Sequence, residues 1–285
     1  MLIHEAKIKR LERMANTIRQ DIVGMLVAAG SGHSAGPLGM ADVFTALYFH
    51  ILHHKPKSPS WTERDRLVLS CGHICPVRYA SMARAGYFPL KTLKDLRSFG
   101  SPLQGHPELG RLPGIESTSG PLGQGSSIAV GMALAAQMDA AAWRVYAVLS
   151  DGEHQEGQVW EAVMFAANKN LSNLTFLVDR NNIQIDGPTE TVMPLEPLGA
   201  KYVAFGWHVI EIDGHNIREI VEACEEAKHV SEKPTVVICH TVPGRGVHFM
   251  EHNFLWHGIP PNADQAREAL GSLRTLRGKI TSEHE

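Results

Sequence analysis

Cysteine is scarce in this sequence: Cys71, Cys75, Cys224 and Cys239 are all that 285 residues hold. Cys71 and Cys75 have three residues between them, not the two of a metal-binding pair. A cysteine-built metal site is therefore disfavoured, and reduced, buried thiols in a cytoplasmic protein are expected. No apolar run approaches the ~20 residues that span a bilayer. The start, Met-Leu-Ile-His-Glu-Ala-Lys, lacks the apolar core of a signal peptide. A large net charge is missing too. With 27 Lys and Arg against 30 Asp and Glu the balance is −3, which gives no reason to expect nucleic acid or an anionic membrane as partner. Internal repeats and low-complexity stretches are also absent. What remains is ordinary globular composition, 44% hydrophobic and 20% charged, read as one domain over 1–285 with a charged tail from about 275. Histidine is the exception, with 16 copies, several of them in glycine-rich turns.

The most informative stretch runs from Trp143 to Gly187. An apolar run, Val145 to Leu149, ends in Ser150-Asp-Gly-Glu153; an amphipathic helix is predicted from about Glu156 to Asn168; a second apolar run, Leu174 to Val178, ends in Asp179-Arg-Asn-Asn-Ile183. Polar residues thus follow the carboxyl end of each strand, where open parallel sheets bind ligands. Asp151, Asn181 and a carbonyl such as that of Ile183 are hard oxygen donors of the kind Mg²⁺ or Ca²⁺ takes. Gly152 has no side chain to keep a phosphate from the backbone, and the helix after it offers amide donors to an anion. Asp-Gly after a strand is usually only a turn. Asp-Gly followed by Asn-Asn, each after its own strand, is more specific.

Elsewhere Ile8, Leu11, Ala15, Ile18, Ile22 and Leu26 repeat at three and four, predicting one helix from Glu5 to Ala28. His33 lies in the turn Ser31-Gly-His-Ser-Ala-Gly-Pro-Leu-Gly39, before a helix predicted over Met40–Leu52. Alone, such a histidine is more often a turn or cap residue. Arg66–Ser70 reads as a strand leading to Gly72-His73, followed by a helix over Cys75–Ala85. The loop from Gly100 to Gly125 carries His106 and Gly120-Pro121-Leu122, and is too long to be structureless and idle. A small-residue helix, Ser126–Met138, follows it. Further helices are predicted over Leu198–Phe205, Ile217–Ala227 and Asn262–Leu273, with strands over Trp207–Ile212 and Pro234–Thr241. The alternation predicts an α/β fold, a doubly wound, mostly parallel sheet with helices on both faces. His248 and His252 lie four apart, but Gly244 and Gly246 argue against the helix that zinc spacing would need. His257 sits in Trp256-His-Gly258.

The segment Ser150-Asp-Gly-Glu-His-Gln-Glu-Gly-Gln-Val-Trp-Glu-Ala through Asp-Arg-Asn-Asn-Ile-Gln-Ile-Asp-Gly187 resembles the thiamine diphosphate motif of transketolases. Ser-Gly-His33, Gly-His73, Gly-His106-Pro-Glu, Gly120-Pro-Leu-Gly-Gln-Gly125 and Trp-His257-Gly resemble turns of the same family. The sequence departs from it at Ser150, usually Gly, in the order Ser34-Ala-Gly-Pro37, and at Cys71, Ile74 and Cys75.

The resemblance implies a thiamine-diphosphate-binding fold in which Asp151, Asn181 and the Ile183 carbonyl hold Mg²⁺ or Ca²⁺. It implies cofactor contacts at His73, Gly120, Pro121, Leu122, Gly152, Glu153, Asn181 and His257. His33, His73, His106 and His257 are the expected catalytic residues; Glu156 and Glu161 are expected to tie their helix to a subunit contact. The match covers the whole chain but only the front of a full-length transketolase, whose activating glutamate lies in a second domain. A half-enzyme is therefore expected: a C-terminal partner subunit supplies that glutamate and the pyrimidine-binding domain, sugar phosphates are the substrates, and two of each chain assemble. Active together, they would move a two-carbon ketol unit from a ketose phosphate to an aldose. Three other readings stand beside this one. They are a transketolase for a branched or sulfonated sugar, a 1-deoxyxylulose-5-phosphate synthase-like or dehydrogenase E1-like subunit, and a non-catalytic cofactor-binding subunit.

Overall fold

Five apolar segments form the sheet: β1 (Arg66–Leu69), β2 (Val145–Ser150), β3 (Leu174–Arg180), β4 (His208–Asp213) and β5 (Thr235–His240). All neighbours pair in parallel, in the order β1-β2-β3-β5-β4, so the chain passes from β3 to the far edge and returns to fill the gap. The computed structural model describes residues 3–275; the charged tail expected from about 275 onward lies outside them.

A pleated strand sends alternate side chains to opposite faces, and both faces here are apolar. Leu67, Leu69, Tyr146, Val148, Leu177 and Val237 pack into one layer with α1 (Glu5–Ala29), α2 (Cys75–Ala85), α6 (Ile217–His229) and α7 (Ala263–Thr275). Val68, Ala147, Leu149, Phe176, Val178 and Ile238 face the other layer, built from α3 (Gln124–Met138), α4 (Gly157–Asn168) and α5 (Leu198–Ala204). Each of these Val, Leu, Ile and Phe side chains, fully buried, contributes about 1.5–3 kcal/mol. Doubly wound α/β architecture follows from this two-sided burial.

The structure differs from the predicted boundaries in several places. The single helix expected over Met40–Leu52 is divided into Ala41–Ala46 and a wider π turn, Leu47–Ile51, and a helical turn, Ala35–Gly39, precedes it. Pro37 fits the first turn of a helix, so the segment predicted as loop coils early and breaks at Met40. α4 begins at Gly157, because Glu156 is extended at φ −80° and ψ 123° and a 3₁₀ turn, Gly152–Gln155, precedes it. Trp207 precedes β4, its N–H donating to the Tyr202 carbonyl at the end of α5. α1 runs one residue past its predicted end and stops at Gly30, whose φ of 59° is the left-handed conformation glycine adopts without strain.

Candidate active site

The loops following β1, β2, β3 and β5 all leave from the same edge of the sheet. His73 is in the 3₁₀ turn Gly72–Ile74 beyond β1, and His257 caps the 3₁₀ turn Phe254–Trp256 in the segment beyond β5. His33 precedes the Ala35–Gly39 turn, and His106 is in the glycine-rich loop. All four line one cavity of about 360 Å³, with Gly120, Leu122, Ser150, Gly152 and Ile183. Their ring centres are close: His33 is 5.1 Å from His73, 5.5 Å from His257 and 6.4 Å from His106, and His73 is 5.1 Å from His257.

Such crowding disfavours positive charge. Burial, with its histidine neighbours and Arg97, lowers His33 to about 4. Burial and the other three rings hold His73 well below the ordinary range, and His106 and His257 are lowered by burial as well. The cluster is neutral at neutral pH, so each ring presents one donor and one acceptor. His33 Nδ1 is buried without a hydrogen-bond partner, an atom that invites a ligand group.

Asp151, between the cavity-lining Ser150 and Gly152, is fully buried. Its Oδ1 accepts from the Gly152 N–H at 2.7 Å, and its Oδ2 accepts from the Asn182 N–H at 2.7 Å and Arg180 Nη1 at 3.1 Å. Burial nonetheless raises its pKa to about 6. Asn182 turns the chain at a φ of 65°, a conformation asparagine tolerates. Before it, Asn181 Oδ1 accepts from the Ile183 N–H at 3.0 Å, and Asn181 Nδ2 donates to Asp179 Oδ2 at 2.9 Å. Asp179 is itself pushed up to about 7 by burial, against donation from Thr241 Oγ1. Pro188, paired with Ile183, has no N–H to donate to the Ile183 carbonyl. The donor set is one carboxylate, one amide oxygen and one carbonyl, with Arg180 already paired to the carboxylate through Oδ2. It suits a hard dication completed by phosphate oxygens. Among the described residues no group of three His, Cys, Asp or Glu side chains could hold an ion unaided.

Four expected residues stand apart from the cavity wall. Pro121 is exposed and does not line it, although its neighbours Gly120 and Leu122 do. Asp151 and Asn181 lie behind the wall, reaching it through their neighbours. Glu153 faces inward: its carboxylate accepts from Ser70 Oγ, from the Gly123 N–H at 2.5 Å and from the Ser150 N–H at 3.2 Å. Burial raises Glu153 to about 7 despite these donors. Its side chain braces the glycine-rich loop against two strand ends. His248 and His252 occupy turns, not the helix that zinc spacing requires. Gln155, Glu156, Gln184 and Ile185 also line the cavity, beyond the residues expected to meet cofactor or substrate; only the exposed Ile185, beside an Asp-Gly turn, carries a local signal of it.

Residues 10–275 match the family described as transketolase, thiamine diphosphate binding domain. A Clostridium sp. (strain MSTE9) protein named 6-deoxy-6-sulfo-D-fructose transketolase subunit SqwG is 44% identical over 263 residues, covering 92% of this chain and 96% of the relative. An apulose-4-phosphate transketolase subunit of Phocaeicola vulgatus is 38% identical over 278 residues, 98% of this chain and 99% of the relative. The crystal structure of Pichia stipitis transketolase in complex with sedoheptulose 7-phosphate superposes with a TM-score of 0.89 at 38% identity. That match covers 95% of this chain but only 41% of the yeast chain. The chain belongs to the transketolase family of transferases, and corresponds to its thiamine diphosphate-binding domain.

Proposed function

We propose that this chain is the diphosphate- and metal-binding subunit of a two-chain transketolase, and that with its partner it transfers a two-carbon ketol unit from a ketose phosphate to an aldose. The observation that carries this reading is the cavity of four neutral histidines flanked by Asp151 and Asn181. Asp151, Asn181 and the Ile183 carbonyl would hold Mg²⁺ or Ca²⁺. Gly152, His73 and His257 would receive the diphosphate; a β-carbon at residue 152 would come within 3.1 Å of Gln184, a tight contact that glycine avoids. The Gly120–Leu122 backbone would meet the aminopyrimidine. When bound, thiamine diphosphate supplies the carbon nucleophile of ketol transfer. This chain's histidines accept and return substrate hydroxyl protons, for which neutral imidazoles are suited. His33 and His257 are assigned to substrate and His106 to the cavity wall. Glu153 acts through the loop it braces and is a positioning residue.

The partner is the C-terminal subunit that carries the activating glutamate and the pyrimidine-binding domain. Two of each chain in the cytoplasm is the assembly we assign, in keeping with four buried free cysteines. A sulfonated or branched sugar is a second reading, favoured by the names of the two relatives matched along nearly their full lengths. Ketol transfer from xylulose 5-phosphate to ribose 5-phosphate, measured with each chain alone and with both, tests the proposal. Turnover is expected only with both. Turnover by this chain alone would overturn the split assignment, and decarboxylation of pyruvate without ketol transfer would move the protein to another thiamine diphosphate class.

A further inference from the structure

Most departures of this sequence from the transketolase turns sit beside the histidines. Ser34 and Gly36 follow His33, and Ile74 and Cys75 follow His73. All four are buried. Each meets a histidine turn other than its own. Ser34 Oγ donates to the carbonyl of Ile259, just beyond His257, at 2.6 Å. A β-carbon at residue 36 would come within 2.7 Å of Ile74 Cγ2. Glycine at 36 therefore leaves the room that isoleucine at 74 fills, and a side chain of the His73 turn seats against the backbone of the His33 turn. Cys75 Sγ donates to the carbonyl of Gly105, next to His106, at 3.1 Å. Burial pushes that thiol up to about 12, so it keeps the proton it donates. Tyr79, one turn further along α2, donates to the Gln104 carbonyl at 2.9 Å and holds the same loop.

Cys71 and Ser150, the other two departures, make no such link. Cys71 Sγ meets the Val148 carbonyl inside the sheet at 3.6 Å, and Ser150 Oγ accepts from the Glu153 N–H at 3.3 Å. The remaining contacts run in series. Ser34 joins the His33 and His257 turns, Gly36 with Ile74 joins those of His33 and His73, and Cys75 joins those of His73 and His106. His33 Nδ1 has no hydrogen-bond partner among the described residues, so its turn and its packing place the ring.

We propose that Ser34, Ile74 and Cys75 are positioning residues that lock the four histidine turns into one array and so set the spacing of the rings that handle substrate. What the array acts on rests on the ketol-transfer reading above; what holds it is new. Reacting groups displaced by about 1 Å can lose about 10²-fold in rate, so ties between turns matter even where they touch no substrate.

The test reads ring contacts on this chain by NMR with labelled histidine, and ketol transfer on the two-chain enzyme with thiamine diphosphate and Mg²⁺. Each alanine variant should loosen its own ring pair. Ser34→Ala weakens the nuclear Overhauser contact between His33 and His257, whose ring centres are 5.5 Å apart. Ile74→Ala weakens that between His33 and His73, at 5.1 Å, and Cys75→Ala that between His33 and His106, at 6.4 Å. Each should lower kcat about tenfold and change KM less than about twofold. Ile74→Val, which keeps Cγ2, and Cys75→Ser, which keeps a donor, should restore most of both losses. Ring contacts and kcat unchanged in the alanine variants, with only the denaturant midpoint lowered, would overturn the proposal. So would all ring pairs loosening alike in every variant. The stated pairs loosening in a protein that transfers no ketol unit would keep the array, and only the ketol-transfer reading would fall. Should Ile74→Ala not fold, the Ser34 and Cys75 variants still decide.

Discussion

His33 is the residue whose surroundings say most about the chemistry. Its lowered pKa of about 4 reflects burial first, then the rings of His257 and His106 and the charge of Arg97. The folded value lies below the ordinary 6.5, so the unfolded chain binds the proton more readily. The corresponding stability is fully present above about pH 6.5 and is lost as the pH falls through about 4. Ring resonances should therefore place the His33 midpoint near 4, with no inflection near 6.5. His33→Asn, which removes the group, should lose less stability than wild type between pH 7 and pH 5. Equal losses in the two proteins, read from denaturant midpoints, would show that His33 is not the buried neutral group described here.

At the scale of elements, the two histidine-bearing loops are tied to the helical layer by a buried ion pair. Arg19 on α1 donates from Nε to the Leu38 carbonyl at 3.0 Å and from Nη2 to Asp42 Oδ2 at 2.5 Å. His215 Nδ1 lies 2.9 Å from the same Asp42 oxygen, while its Nε2 lies 2.8 Å from the donating Val242 N–H. Nε2 is therefore the acceptor and Nδ1 carries the proton. Burial alone would raise the Asp42 carboxyl; Arg19 and His215 reverse this and hold it well below the usual carboxylate range. Ser34 Oγ adds a link between the turns that carry His33 and His257, donating to the Ile259 carbonyl at 2.6 Å. Asp42→Ala would leave the Arg19 charge buried and unpaired, and should cost about 3–5 kcal/mol by chemical denaturation. A loss below about 1 kcal/mol would mean the network does not hold these elements together.

These ties also mark where sequence reading stops. α1, α2 and the β2–α4–β3 unit are legible because local spacing carries them, and the four histidine turns because their short motifs resemble transketolase turns. Asp42 and His215 are 173 positions apart, and Glu153 meets Ser70 and Gly123 across 83 and 30 positions. No local pattern announces such pairs, so Glu153 reads as a cofactor contact although its carboxylate is spent inside the protein.

For the whole molecule, the candidate site gathers where loops leave the carboxyl edge of the sheet, and Ile185 at the cavity wall remains 65% exposed. An apolar side chain there is suited to burial beneath a partner, which agrees with a site completed by a second chain. No described helix is long and apolar enough to cross a membrane. In the reading proposed above, Asp151 and Asn181 carry a cation that fixes thiamine diphosphate beside the histidines. Titration calorimetry of thiamine diphosphate with Mg²⁺ into the wild type and Asp151→Ala, each with the partner chain present, tests it most directly. Saturable binding that a chelator abolishes, weakened about tenfold or more in Asp151→Ala, is the expected result. Equal affinity in both proteins, or binding indifferent to the metal, would contradict it.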